Sequence, residues 1–281
     1  MIAFVLGGGG RLGACEVGML RALLERDIVP DVVVGTSIGA MNGAAVAYRP
    51  EIPSIDRLEE VWTTLDKSEV FSGSVFSGAA HLVRTRTALQ SNQALRRLIQ
   101  KSLPAKTFAD LALPFHCVAA SIERAAEHWF EKGSLVDAIL ASCAVPGILP
   151  PVKLDGEHFI DGGIVNSIPI GCAIDLGATE IYVLHVGRIE RPLKAPRNPW
   201  QVGMVAFEVA RRHRFARDMA SLPEGVIAHV LPTGVEPPRY DSLGQLRYKN
   251  FRSVVPHIRG AHEASAAYLD DPALLRPGKL T

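Results

Sequence analysis

Val32-Val33-Val34-Gly35-Thr36-Ser37-Ile38-Gly39-Ala40-Met41-Asn42-Gly43-Ala44 decides the fold. A β-branched run ends in Gly-x-Ser-x-Gly, and a helical pattern reaching Tyr48 begins directly behind it, so the motif sits on a tight strand-to-helix turn. Such a turn holds its central residue in a strained backbone conformation, and the flanking glycines let neighbouring chain approach without a Cβ clash. Ser37 is therefore expected to be a nucleophile pushed out at the top of a sheet, with Gly35, Thr36, Ile38 and Gly39 as its elbow. A helix N-terminus there favours negative charge developing on the serine oxygen. The plainer role for Ser37 would be that of a helix cap.

Working outward, Ile2 to Leu6 reads as a buried strand and Ala14 to Arg26 as a helix with Val17, Leu20 and Leu24 on one face. Between them stand four consecutive glycines, Gly7 to Gly10, then Arg11-Leu12-Gly13. Glycines let main-chain N–H groups converge on an oxyanion, which an acyl-transfer serine requires within hydrogen-bond reach. The same run satisfies the dinucleotide pattern as Gly8-x-Gly10-x-x-Gly13, so a phosphate- or nucleotide-binding module without catalysis is the rival. Its ribose-binding acid would have to be Asp31, which precedes the second strand instead of ending it.

Helical patterns at Ile55 to Leu65 and Gln93 to Leu103, and a Gly/Ser-rich joint at Ser72 to Gly78, mark residues 50–113 as a helical cap or lid inserted after the nucleophile helix of Ile38 to Tyr48. Strands resume at Phe115 to Ser121, His128 to Phe130, His158 to Ile160, Glu180 to Val186 and Val226 to Leu231. Ser134 with Asp137 starts a helix ending near Cys143, and Pro192 to Pro199 is a surface loop before a long helix. The alternation predicts an α/β protein with a mostly parallel sheet, residues 1–281 forming one domain in which 176–281 is the C-terminal part.

Asp161-Gly162-Gly163 closes the strand at 158–160. Period-two geometry puts Phe159 and Asp161 on one face and His158 and Ile160 on the other, so Asp161 either starts a turn or serves the site without His158. A serine nucleophile normally uses a histidine oriented by a carboxylate, and a Ser-His-Asp esterase would be the second alternative. His185, His213, His229, His257 and His262 all follow Asp161, yet none stands in a recognisable catalytic frame. Asp161 as a base acting directly on Ser37 follows as an expectation.

Taken together these blocks resemble the patatin-like phospholipases. The resemblance runs from Ile2 to about Asp175 and rests on the glycine loop, on Gly35 to Gly43, on Ala141-Ser142-Cys143-Ala144-Val145-Pro146-Gly147 with Pro150-Pro151, and on Asp161-Gly162-Gly163 followed by Asn166 and Pro169. It implies a three-layer α/β/α sandwich, a Ser37/Asp161 dyad, an oxyanion hole from the amides around Gly8, Gly9, Gly10 and Arg11, and hydrolysis of lipid acyl esters without metal or cofactor. One departure is Leu12, where the family usually carries Arg or Lys.

Composition bounds the partners. Thirty Lys plus Arg against 29 Asp plus Glu leave a formal charge of +1, so no global field attracts nucleic acid, and none is expected as a partner. No apolar run approaches the roughly 20 residues of a membrane span, which makes a cytoplasmic protein the default. Cys15, Cys117, Cys143 and Cys172 lie far apart and read as reduced core thiols. Arg211, Arg212, Arg214 and Arg217, among Val205, Phe207, Val209 and Phe215, form a basic amphipathic segment. It is either a site of peripheral contact with lipid aggregates or the solvated face of a packed helix.

Overall fold

The computed structural model describes residues 1–65, 91–186, 192–234 and 254–271. The Gly/Ser-rich joint at 72–78 lies outside them. Among the described residues eight strands form one sheet: β1 (Ile2–Leu6), β2 (Val32–Thr36), β3 (Phe115–Ser121), β4 (Ala126–Phe130), β5 (Val152–Leu154), β6 (Glu157–Asp161), β7 (Glu180–Leu184) and β8 (Ile227–Val230). Their order is β5-β6-β3-β2-β1-β7-β8, with β4 pairing β3 off that path. Pairings among β3, β2, β1, β7 and β8 are parallel, while β4, β6 and β5 are antiparallel to their neighbours.

The helices are α1 (Ala14–Leu24), α2 (Ile38–Tyr48), α3 (Ile52–Leu65), α4 (Gln93–Ser102), α5 (Leu135–Ser142), α6 (Ile170–Asp175), α7 (Pro199–Ala220) and α8 (Val254–Asp270). Strand alternation sorts them into two layers. Phe4, Leu6, Val33, Tyr182 and Leu184 join the larger core with α1, α2, α3 and α8, whereas Ala3, Val5, Val32, Val34, Ile181 and Val183 meet Ile170, Ala173 and Phe215 of α6 and α7. The fold is thus a three-layer α/β/α sandwich.

Sequence pattern missed β5, α6 and α8, each of which is set by tertiary packing. The C-terminal α8 lies against α1 so closely that a Cβ on Gly18 would stand 2.1 Å from the Ile258 carbonyl oxygen. The two described helices of the 50–113 stretch are anchored in the main core: Ile55, Trp62 and Ile99 are fully buried.

Register around β3 assembles the site. β4 pairs with Cys117 through Ser121, β2 with Phe115 through Val118, and β6 with Ala119 through Ser121. Since β4 overlaps both others and a strand has two edges, β2 and β6 must share the opposite edge, end to end. Thr36 faces Val118 and Asp161 faces Ala119, so the carboxylate arrives beside the point where β2 stops.

Candidate active site

Ser37 is the N-cap of α2, with φ 55° and ψ −123°. Glycine is required on both sides of it: a Cβ on Gly35 would lie 2.6 Å from the Gly39 carbonyl oxygen, and one on Gly39 would lie 2.4 Å from that of Leu6. Its side chain does not cap the helix. Instead Ser37 Oγ donates a 2.6 Å hydrogen bond to Asp161 Oδ2. The two are 8% and 6% exposed, nearly closed to water.

Asp161 Oδ1 accepts from the Gly163 N–H at 2.7 Å, which explains why the aspartate needs a turn directly behind it. Gly162 must be glycine, because a Cβ there would lie 2.1 Å from the Val118 carbonyl oxygen. Burial raises the carboxyl from its ordinary value near 3.8 to about 6, against the lowering effect of the bonds from Ser37 and Gly163. A carboxylate tuned toward neutrality is a better proton acceptor than a solvated one. Beside the pair, burial pushes the Cys143 thiol well up, so it remains neutral.

Three side chains whose bonds the motifs did not specify hold this geometry. Ser142 Oγ accepts the Ser37 N–H at 2.8 Å and donates to the Val118 carbonyl at 2.6 Å, restraining the strained elbow. Thr36 Oγ1 donates to the Asn166 carbonyl at 2.8 Å and ties the elbow to the loop behind Asp161. Arg214 donates to the Val165 carbonyl at 2.8 Å and pairs with Glu127. Ser142 stands in the quoted Ala141-to-Gly147 block, but only the register of β3 gives its hydroxyl a task.

The glycine loop borders the serine: a Cβ on Gly8 would stand 3.4 Å from Ser37 Cβ. Its amide, however, donates to the Ser167 carbonyl at 2.9 Å, so Gly8 is removed from the expected oxyanion donors. Gly10 to Gly13 wind into a short 3-10 helix with Gly9 as N-cap. The first amides of such a turn have no acceptor within the turn itself, and Gly9 and Gly10 stand there. Gly9 has no room for a side chain, with Val186 Cγ2 1.9 Å from a built Cβ, and Gly10 has φ 56°. Leu12 is buried in the main core, so the family's usual cation is replaced by a packing residue.

No described histidine contacts Ser37 or Asp161. His158 bonds Glu123, His262 bonds Glu25, His229 stacks on Tyr182, and His185 stacks near Phe215. The basic segment is also resolved. Arg211 and Arg212 pair with Glu208 at 2.8 and 3.2 Å, and Arg214 turns toward the Asp161 loop, leaving Arg217 exposed. Arg211 and Arg212 are thus engaged within α7 itself, and Arg214 ties the helix to the loop behind Asp161. Arg214→Ala is expected to lower the unfolding free energy by about 2 kcal/mol, as befits hydrogen bonds to a charged group; an unchanged urea midpoint would show these contacts to be idle.

A serine on a strand-helix elbow, hydrogen-bonded to a buried aspartate in an α/β/α sandwich, defines the class. A sequence profile described as patatin-like phospholipase matches residues 4–174, and the chain belongs to that family. Proteins named Patatin-like phospholipase domain-containing protein 6 from Mus musculus and Homo sapiens are each 34% identical over 188 residues, 66% of this chain and 13% of theirs. Lysophospholipase NTE1 of Mycosarcoma maydis is 29% identical over 192 residues, 67% of this chain and 10% of that protein. The chain therefore spans a small fraction of these curated relatives. Among solved structures, VipD from Legionella pneumophila overlays with a TM-score of 0.43 at 14% identity, covering 94% of this chain and 67% of that one. An overlap this loose adds nothing to the family assignment.

Proposed function

We propose that the chain is a serine acyl hydrolase acting on carboxylic esters of phospholipids or other acylated lipids through a Ser37/Asp161 dyad. The 2.6 Å bond between Ser37 Oγ and Asp161 Oδ2, on a strained elbow, carries the reading. As Ser37 Oγ attacks the ester carbonyl carbon, its proton passes to Asp161, and the tetrahedral oxyanion is held by the amides of Gly9, Gly10 and Arg11. Collapse expels the alcohol, which takes the proton from Asp161 and leaves an acyl-serine. Water, deprotonated by the same carboxylate, attacks this ester; the fatty acid leaves and Ser37 Oγ recovers its proton.

Lipid as the substrate class is supported by family membership and by the printed names of the relatives. Exposed Ile164, directly behind Asp161-Gly162-Gly163, supports an apolar approach to the serine. Peripheral contact with lipid aggregates, if it accompanies this activity, rests on such apolar surface, because Arg211, Arg212 and Arg214 are engaged internally. No helix among the described residues is long and apolar enough to cross a membrane.

The test is covalent labelling by a fluorophosphonate together with hydrolysis of a series of fatty-acyl esters. The wild-type protein should be labelled at Ser37 and should hydrolyse esters, whereas an unlabelled, inert protein would favour a binding module. Replacing His158, His185, His213, His229, His257 or His262 singly by Ala should retain at least a tenth of the activity, a change of about 1.4 kcal/mol or less. EDTA should leave the rate unaltered, since no cluster of three metal-ligating side chains occurs among the described residues. A hundredfold loss in one folded histidine variant would restore a triad.

A further inference from the structure

Glu16 is the strangest residue outside the dyad. It lies on α1 at 0% exposure, and no cation stands within ion-pair distance of it among the described residues. A lone carboxylate in such surroundings would be very costly, so burial holds its carboxyl protonated far above the ordinary range. Its Oε2 accepts a 2.7 Å hydrogen bond from Asn42 Nδ2, and its Oε1 has no partner. An apolar residue of similar size would fit this packing without that cost.

Asn42 explains why the carboxyl is there. Also fully buried, it donates through Nδ2 to the Gly13 carbonyl at 3.0 Å, and its Oδ1 accepts the Trp62 indole N–H at 3.1 Å. Gly13 ends the 3-10 turn that begins at Gly10, and it too is closely packed, a built Cβ falling 2.6 Å from Ile38 Cγ1. Asn42 and Ser37 belong to one helix, Ser37 being its N-cap. One amide thus references the far end of the glycine turn to the element that presents the serine, and Glu16 and Trp62 hold that amide in one orientation from two sides.

We propose that Asn42 and Glu16 are positioning residues that set the glycine turn, residues 9–13, against the nucleophile helix. The inference rests on the acyl-hydrolase reading for its kinetic consequence but not for its structural one. Without an acceptor at position 16, Asn42 keeps only its bonds to Trp62 and Gly13, one of its amide hydrogens is left buried without an acceptor, and the looser amide lets the start of the turn drift from the position an oxyanion would occupy.

Three variants and two readouts test this: Glu16→Leu, which fills the space and removes the acceptor; Glu16→Gln, which keeps it; and Asn42→Ala. With a short soluble p-nitrophenyl ester, Glu16→Leu and Asn42→Ala should lose about tenfold or more in kcat with KM changed less than twofold, the pattern of a lost transition-state interaction. Glu16→Gln should stay within about twofold of the wild type, because its amide oxygen accepts the same bond. Amide hydrogen exchange at residues 9–13 supplies a substrate-free readout and should accelerate in Glu16→Leu and Asn42→Ala but not in Glu16→Gln. Full kcat and unaltered exchange in Glu16→Leu, in an active wild-type background, would overturn the proposal while leaving the hydrolase reading intact. Altered exchange in a protein whose wild type cleaves no ester would uphold the positioning and overturn the hydrolase reading instead. Equal losses in Glu16→Gln and Glu16→Leu would also defeat it, since then the acceptor would not be what matters.

Discussion

Ser37→Ala is expected to lower ester hydrolysis by about 10⁴-fold or more, the scale on which removing a covalent nucleophile acts. Fluorophosphonate labelling should vanish with it. Ser37→Gly should be equally inactive and also more stable than the wild type by roughly 1–2 kcal/mol, because the serine occupies φ 55° and ψ −123°, a region that only glycine adopts without strain. Urea unfolding of the three proteins side by side measures this. A glycine variant no more stable than wild type would mean that the elbow stores no strain, and turnover above a few per cent in either variant would remove Ser37 from the chemistry.

Asp161→Asn should reduce activity by about 10³-fold or more, since an amide cannot take the serine proton. The pH profile of the wild type follows from the same carboxyl. It must be ionised to act as base, so kcat/KM should rise as pH increases through about 6 and level off above. Stability runs the other way. A native carboxyl at about 6 against an unfolded value near 3.8 means that the native state binds the extra proton between those values. The stability that this residue contributes is therefore fully present below about pH 4, falls as pH rises through the window, and is absent above about pH 6. Asp161→Asn escapes that loss, so at pH 8 it should be more stable than wild type by about 1–3 kcal/mol, with the difference shrinking toward pH 4. Thermal or urea unfolding at both pH values checks it; a variant less stable at pH 8 would show that the carboxylate is stabilised in its site.

What the sequence made legible was what a motif can carry. Gly35, Ser37 and Gly39 announced the elbow because sterics forbid other residues at the flanks. Asp161-Gly162-Gly163 was visible as a turn, and the parity of β6 separated Asp161 from His158. The pairing of Asp161 with Ser37 was expected only from the lack of a framed histidine and from the family resemblance; spacing could not show it, because it depends on β2 and β6 meeting end to end along β3, which is a matter of register. Nor could the loop's donors be sorted. The Gly8 amide is consumed by Ser167, a residue whose neighbourhood to the loop arises only through β1, β2 and the segment behind Asp161. The arginines of α7 left two readings open for a related reason: spacing reports which face a residue occupies, whereas Glu208 and Glu127, with which Arg211 and Arg214 pair, lie on and beyond that helix.

The placement of β1 between β2 and β7 has a consequence for how the molecule is made. Its first residue, Ile2, stands in register with Glu180, 178 positions away, and the close-packed Gly18 of α1 waits still longer for α8. At about 5–20 residues per second of synthesis, an edge of the first strand stays open for roughly 10–35 s after it is made. Everything the family profile matches, residues 4–174, is then already present, yet neither β7 nor α8 exists to cover it. The matched segment is thus a poor folding unit: released alone, it would display a bare parallel edge and an empty helix groove, the surfaces on which chains aggregate. The nascent segment therefore stays exposed to aggregation until β7 and α8 emerge, and the residues after 175 act as its cover.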